Sequence, residues 1–209
     1  MRLSLVSNLL NKIIIFNIFN MPQHLIFEGA ELTGKSWLMS QVYDYLEPKY
    51  NQSGVTLDGC HWFNCDIGVY GTKHGKVVIE NYLNIFKELK EKNLIIEKLH
   101  LSDIVYNQIH QNQKVDYQKV EEELLALNFK IILITFAEDE KLLGKRIQDR
   151  LNIYPHYERI LQSPSWYIAQ QRKYLEEIKK TKLPYLVLET NVLPDDSLVD
   201  DILKWIGEK

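Results

Sequence analysis

His24-Leu25-Ile26-Phe27-Glu28, a short buried-strand pattern, runs directly into Gly29-Ala30-Glu31-Leu32-Thr33-Gly34-Lys35-Ser36. The second segment fits G-x-x-x-x-G-K-S, the P-loop. Each residue type has a physical task there. Glycines let backbone N–H groups curl round phosphate oxygens, and the helix that begins near Gly34 adds its positive end. Lys35 reaches the outer phosphates and Ser36 offers its hydroxyl to Mg²⁺. An apolar strand leads in, and a helical pattern over about Lys35 to Leu46, stopped near Pro48, leads out. With both flanks right, Gly29, Ala30, Glu31, Leu32, Thr33, Gly34, Lys35 and Ser36 imply binding of ATP or GTP.

Outward from this loop the chain alternates short apolar strands with amphipathic helices. Val55–Asp58 reads as a second strand, Leu94–Glu97 as a third, Lys130–Phe136 as a fourth and Tyr185–Glu189 as a fifth. Helical spacing covers Val77–Lys90, Ser102–His110, Asp116–Leu127, Asp139–Leu151 and Ser165–Lys180. A last helix ends near Ile206, with Asp195 or Asp196 as its N-cap. Strands separated by helices predict a mostly parallel sheet covered on both faces. No internal repeat, low-complexity tract or Pro/Gly/Ser linker divides the chain, so one domain is expected over residues 21–209.

Residues 1–20 read differently. Their apolar run near Ile13–Phe19 is broken by polar residues, including Asn17, and is too short to span a bilayer. Small residues before a cleavage point, which a signal peptide wants, are missing. Met21 opens the nucleotide-binding pattern, which makes it the expected translation start and residues 1–20 an upstream extension. The alternative is a short amphipathic helix lying on a membrane or on the domain.

Composition narrows the class. The 209 residues are 45% hydrophobic and 25% charged, ordinary for a globular protein able to bury a core. Lys plus Arg number 25 against 28 Asp plus Glu, a net charge of −3. No basic excess exists to displace counterions, which argues against coating nucleic acid through bulk charge. Two cysteines, Cys60 and Cys65, are too few for a secreted disulfide scaffold, so a cytoplasmic enzyme is the default expectation. Cys60-His61 with Cys65 lacks the second half of a zinc site. The chain also lacks the N-K-x-D base-reading motif of GTPases, and its third strand ends Ile95-Ile96-Glu97-Lys98 rather than in an hhhhDE acid pair. Small-molecule kinases remain.

The residues resemble the thymidylate kinase and deoxynucleoside kinase superfamily. Phe27-Glu28-Gly29 with Glu31 inside the loop is similar to the E-G and loop acid of thymidylate kinases. Glu97-Lys98-Leu99-His100-Leu101-Ser102, with Tyr106 beyond, is similar to D-R-[YF]-x-x-S…Y and E-R-S-x-x-S. Lys145-Arg146-Ile147-Gln148-Asp149-Arg150 resembles the start of the mobile lid, and Tyr174 with Leu183-Pro184-Tyr185 leads into the last strand as in these kinases. The resemblance covers residues 22–206. It implies a three-layer α/β sandwich with strand order 2-3-1-4-5, a helical lid near residues 139–165, and phosphoryl transfer from ATP with Mg²⁺ to a nucleoside or nucleotide. A homodimer is admitted; nucleic acid and membrane partners are not expected.

Two departures matter. Lys98 stands where the family has arginine, and a point ammonium cannot grip phosphate bidentately. The T-R-E-P-G-G element of thymidylate kinases is replaced by Leu57-Asp58-Gly59-Cys60-His61-Trp62, in which Asp58 and Trp62 resemble the general base and tryptophan of deoxynucleoside kinases. The loop therefore favours a deoxynucleoside monophosphate as acceptor, while the second strand leaves room for a free nucleoside. The monophosphate stands first.

Roles follow from that resemblance. Lys35 and the loop amides hold the donor phosphates, and Ser36 holds Mg²⁺. Glu97 orients Mg²⁺ through water or holds the acceptor, and Lys98 binds the acceptor phosphate. Glu31, Trp62 and Tyr106 contact the acceptor, with Phe63 and Tyr70 as further stacking candidates and Asp58 as base. Arg146 and Arg150, four apart, share one helix face and could swing over the phosphates as charge neutralisers. Leu32 at the fourth loop position fits a kinase that relies on lid arginines. The rival from another class is a catalytically silent ATP-binding module.

Overall fold

In a computed structural model of the protein, residues 21–209 are described; the reading of residues 1–20 lies outside them. Strand β1 (His24–Glu28) is buried along its whole length and sits at the centre of a five-stranded sheet ordered β2-β3-β1-β4-β5. Its partners are β2 (Cys60–Asn64), β3 (Asn93–Glu97), β4 (Phe129–Phe136) and β5 (Tyr185–Thr190), every pairing parallel. Continuous apolar runs such as Ile131-Ile132-Leu133-Ile134 suit strands covered on both faces. The expected fold class and strand order are both found.

Alternation along the strands divides the interior in two. Leu25 and Phe27 of β1 face helix α1 (Lys35–Tyr50) and the terminal helix α7 (Asp196–Trp205), packing with Leu38, Val42, Ile132 and Ile202. Ile26 and Ile96 face the opposite layer, where α2 (Gly75–Glu88), α3 (His100–His110), α4 (Gln118–Ala126) and α6 (Pro164–Glu177) bury Phe86, Leu101, Leu124 and Tyr174. The segment expected as a lid comprises α5 (Glu140–Ile153) and a 3₁₀ turn at Pro155–Arg159. Asp139 caps α5 by accepting from the N–H groups of Lys141 and Leu142. Leu143 is its single buried residue, so this helix rests lightly on the sheet. No helix among the described residues is long and apolar enough to cross a membrane.

Two sequence expectations need correction. The second strand is not Val55–Asp58. Val55 and Leu57 are 91% and 67% exposed, in a loop closed by Asn51, Ser53 and Asp58 hydrogen bonds. The V-x-L alternation imitated a strand, but Cys60–Asn64 is the segment that pairs with Asn93–Glu97. Helix α1 also passes through Pro48 to Tyr50. Proline in the last turn forfeits one backbone bond without bending anything that follows, and the Asn51 N–H donating to the Glu47 carbonyl at 2.9 Å closes the helix.

Candidate active site

The sheet order reverses at β1, so the crevice beyond the carboxyl ends of β1, β3 and β4 is where ligands gather in open α/β sheets. The P-loop lies there. Gly29 has φ of 132°, and a Cβ at that position would come within 2.2 Å of the Ile134 carbonyl oxygen, so only glycine fits. The Lys35 side chain is buried, and its Nζ donates to the carbonyls of Gly29 at 2.9 Å and Ala30 at 2.7 Å. Burial, with the Lys98 charge adding to it, lowers its pKa from 10.5 to about 8. An arriving polyanion would supply an opposite charge that offsets both effects and favours the protonated lysine.

Ser36 donates its hydroxyl to Glu97 Oε1 at 3.1 Å. The register places this carboxylate: β1 and β3 pair Phe27 with Glu97, so the acid projects from the strand end beside the loop. A hydroxyl and a carboxylate are hard oxygen donors suited to Mg²⁺, which keeps several waters and leans on substrate phosphates. Among the described residues no cluster of three His, Cys, Asp or Glu could hold a metal unaided.

Beside the loop stands a second charged cluster, built round Lys98. Its backbone takes φ of 56° directly after β3, with the N–H anchored on the Phe27 carbonyl at 2.9 Å. The buried Nζ donates to Glu31 Oε1 at 2.8 Å, Asp66 Oδ2 at 2.6 Å and the Tyr106 hydroxyl at 3.1 Å. Tyr106 also donates to Glu31. Burial opposes the Lys98 charge, but Glu31, Tyr106 and Asp66 hold its pKa well above the usual lysine value. Burial likewise opposes ionisation of Glu31, yet Lys98 and Lys35 bring its pKa down from 4.5 to about 2.

A linkage follows from the Glu31 shift. A depressed carboxylate pKa adds stability above the unfolded value, and that stability is lost as the pH falls through the folded one. The stability of the wild type relative to Glu31→Gln, read from denaturant midpoints, should be constant above pH 4.5 and fall steadily toward about pH 2. A difference that ignores pH across this window would refute the assigned ionisation.

Glu28 secures the frame. Fully buried at the end of β1, its carboxylate accepts from the N–H of Leu99 at 2.9 Å and the Ser102 hydroxyl at 2.5 Å. Ser102 in turn meets the Tyr174 hydroxyl at 2.8 Å. One carboxylate thereby ties β1 to the start of α3 and, through Ser102, to α6. Burial pushes its pKa up, with His100 and the hydrogen bonds from Ser102 and Leu99 opposing. Sequence reasoning gave Glu28 no role, although a carboxylate closing a buried strand needs partners.

Two cavities flank these groups. One, of about 280 Å³, is lined by Glu31, Asp66, Tyr106, Arg150, Trp166 and Tyr167. The other, about 510 Å³ and largely apolar, lies between α5 and the segment after β5, with Leu32, Leu142, Arg146, Arg150, Val192 and Leu193 in its walls. Arg150 borders both. Its guanidinium lies 4.6 Å from the Tyr157 ring centroid, a cation–π contact that holds it between them.

Several expected site residues sit elsewhere. Asp58 precedes β2, at the end of the sheet away from the loop, where it accepts from the Gln52 and Ser53 N–H groups and lies 3.6 Å from Lys92. It cannot serve as base at the P-loop. Asp66, just beyond the carboxyl end of β2, is the carboxylate that this strand does bring beside Lys98, and the misplaced strand is what hid it. Trp62 lies in the middle of β2 beside Tyr43 of α1, ring centroids 6.2 Å apart, rather than in the 280 Å³ cavity. Phe63 packs on Phe86, on the other face. Tyr70 does approach the cluster, donating to the Lys98 carbonyl at 3.4 Å.

Arg146 is not a free swinging arm. Its guanidinium donates to the carbonyls of Leu32, Thr190 and Asn191, each at 2.9 Å, and so braces the loop against the end of β5. Both terminal nitrogens of its fork are taken up by backbone carbonyls and the Thr190 hydroxyl, which sequence spacing could not reveal. Cys60 and Cys65 are buried free thiols with pKa values raised by burial, Cys60 to about 12, and neither is poised to bind a metal.

A central P-loop on a parallel sheet in this order defines the fold of the P-loop kinases. No protein-family model matches the chain, and no curated protein matches it in sequence. Solved structures do. The YorR protein of Bacillus subtilis, in complex with phosphorylated GDP, is similar with a TM-score of 0.61 and 17% identity, over 88% of this chain and 95% of that one. Thymidylate kinase from Ehrlichia chaffeensis gives 0.52 and 12%, over 88% and 98%. Deoxyadenosine kinase from M. mycoides with bound dCTP gives 0.53 and 16%, over 90% and 100%. At these identities the likeness is one of fold, the fold shared by nucleotide and nucleoside kinases.

Proposed function

We propose that the protein transfers the γ-phosphoryl group of Mg-ATP to the hydroxyl of a nucleoside. The 510 Å³ cleft takes the adenine and ribose of the donor, the P-loop takes its phosphates, and the 280 Å³ cavity takes the acceptor. Ser36 and Glu97 would hold Mg²⁺, directly or through water, and the ion would supply positive charge to offset that of the donor phosphates. Asp66 accepts the proton of the acceptor hydroxyl. That oxygen attacks the γ-phosphorus in line, the bond to the bridging β,γ-oxygen breaks, and ADP leaves. Lys35 and Arg150 neutralise the charge on the transferring group.

One observation carries the choice of a hydroxyl. Lys98, which the sequence assigns to an acceptor phosphate, already has Glu31 at 2.8 Å and Asp66 at 2.6 Å. A monophosphate would bring two more negative charges against a pair of carboxylates whose lysine is already shared. A neutral hydroxyl meets Asp66 without that repulsion. The monophosphate reading, first by sequence, keeps one support: Arg150 borders the same cavity and, among the described residues, makes no ion pair with a carboxylate.

ADP release with Mg-ATP, measured against deoxynucleosides and their 5′-monophosphates, tests this. Turnover is expected with a nucleoside, and Asp66→Asn should lower kcat by about 10²- to 10⁴-fold, the range for loss of a general base. Turnover of monophosphates alone, undiminished in Asp66→Asn, would overturn the hydroxyl assignment. ATP binding with no acceptor-dependent release would leave a silent nucleotide-binding module.

A further inference from the structure

Gln170 of α6 is completely buried, and among the described residues neither its amide oxygen nor its amide nitrogen has a hydrogen-bond partner. Two such groups on one side chain are costly to keep in an interior, where buried polar atoms are nearly always paired. The neighbouring Gln171 shows the usual solution: it accepts from the Phe136 N–H at 2.7 Å and donates to the Phe136 carbonyl at 2.9 Å.

Helix register locates Gln170. On α3, Ser102, Tyr106 and His110 follow one another at four-residue spacing, and so do Trp166, Gln170 and Tyr174 on α6. The helices run in opposite senses along this seam. Ser102 meets Tyr174 at 2.8 Å at one end, and the His110 and Trp166 rings stack with centroids 6.3 Å apart at the other. Gln170 therefore stands level with Tyr106. Tyr106, Trp166 and Tyr167 all line the 280 Å³ cavity, and Gln170, one turn on from Trp166, lies buried behind that wall.

We infer that Gln170 is a specificity-determining residue that reads the flat heteroaromatic edge of the acceptor. This rests on the kinase reading above. A carboxamide offers one acceptor beside one donor, the complement of adjacent donor and acceptor atoms on a base edge. The aromatic rings around it would hold the base flat. A carboxylate in its place offers acceptors only, and so favours an edge with two adjacent donors, which guanine presents through N1–H and its amino group.

The test is equilibrium binding of deoxyadenosine, deoxycytidine, deoxyguanosine, thymidine and their 5′-monophosphates, with Mg²⁺ and a non-hydrolysable ATP analogue present. Gln170→Met keeps the volume and removes both polar atoms. It should weaken binding of the compounds the wild type takes by about 10- to 100-fold. Affinity for the ATP analogue should stay unchanged and the melting temperature should not fall. Gln170→Glu should move the order of preference toward guanine. If both variants bind all eight compounds in wild-type order and strength, the amide serves only to hold interior water, and the inference is wrong. If the wild type binds none of the eight, the kinase reading falls and takes this inference with it.

Discussion

Lys35→Met should leave a folded chain whose transfer rate is lower by about 10³-fold or more, since loss of one well-placed donor to developing charge already costs 10²- to 10³-fold. The effect belongs on kcat. Lys35 is buried and bonded to the loop's own carbonyls at 2.9 and 2.7 Å, which fixes it inside the loop proposed above to hold the donor phosphates. Its lowered pKa, about 8, means that a bound polyanion gains a charge the free enzyme holds less firmly. Methionine keeps the length and apolar stem of the side chain but supplies no charge. Steady-state kinetics with a parallel ATP-binding titration would check this. A kcat unchanged by the substitution would remove Lys35 from the chemistry.

The second large effect separates the two arginines of α5. Arg150→Ala should cost about 10³-fold in kcat, the lower end for an arginine that neutralises a transferring phosphoryl group. Arg150 lies at the wall common to both cavities, steadied by the Tyr157 ring, which is why the proposal gives it that group. Arg146→Met should behave differently. It removes three 2.9 Å bonds to the carbonyls of Leu32, Thr190 and Asn191, so it should lower stability and raise the KM for ATP. Comparing the two variants by kcat, KM and unfolding midpoint is decisive. Equal losses of kcat would show that both arginines act on the phosphoryl group, or that neither does.

Most of the fold was legible in the sequence because a parallel sheet writes its interior strands as continuous apolar runs. β1, β3 and β4 are of that kind, and each was found within a residue or so of its bounds. The edge strand β2 was not. Its residues Cys60-His61-Trp62-Phe63-Asn64 are only partly covered, and their pattern is weaker than the accidental Val55/Leu57 alternation beside it. That single slip put the candidate base at Asp58, eight residues before Asp66, the carboxylate proposed above for that role.

The loop residues themselves were readable, since a phosphate cradle needs glycine and lysine at fixed spacing. Partners set by tertiary packing were not. Glu28 gathers Leu99 and Ser102, and Arg146 spends its guanidinium on three carbonyls; both depend on register between elements far apart in the chain. Nothing in the local letters around Gln170 marks its amide as unpartnered.

The central claim is that the two cavities serve one reaction point, with Lys35 and Arg150 acting on a phosphate chain that runs between them. A dinucleoside polyphosphate, with adenosine at one end and the accepted nucleoside at the other, measures this directly. It should bind about 10²- to 10⁴-fold tighter than either half, because the second cavity is then filled without a second association. Lys35→Met and Arg150→Ala should each remove most of that gain. Affinity no better than that of ATP alone would contradict the account.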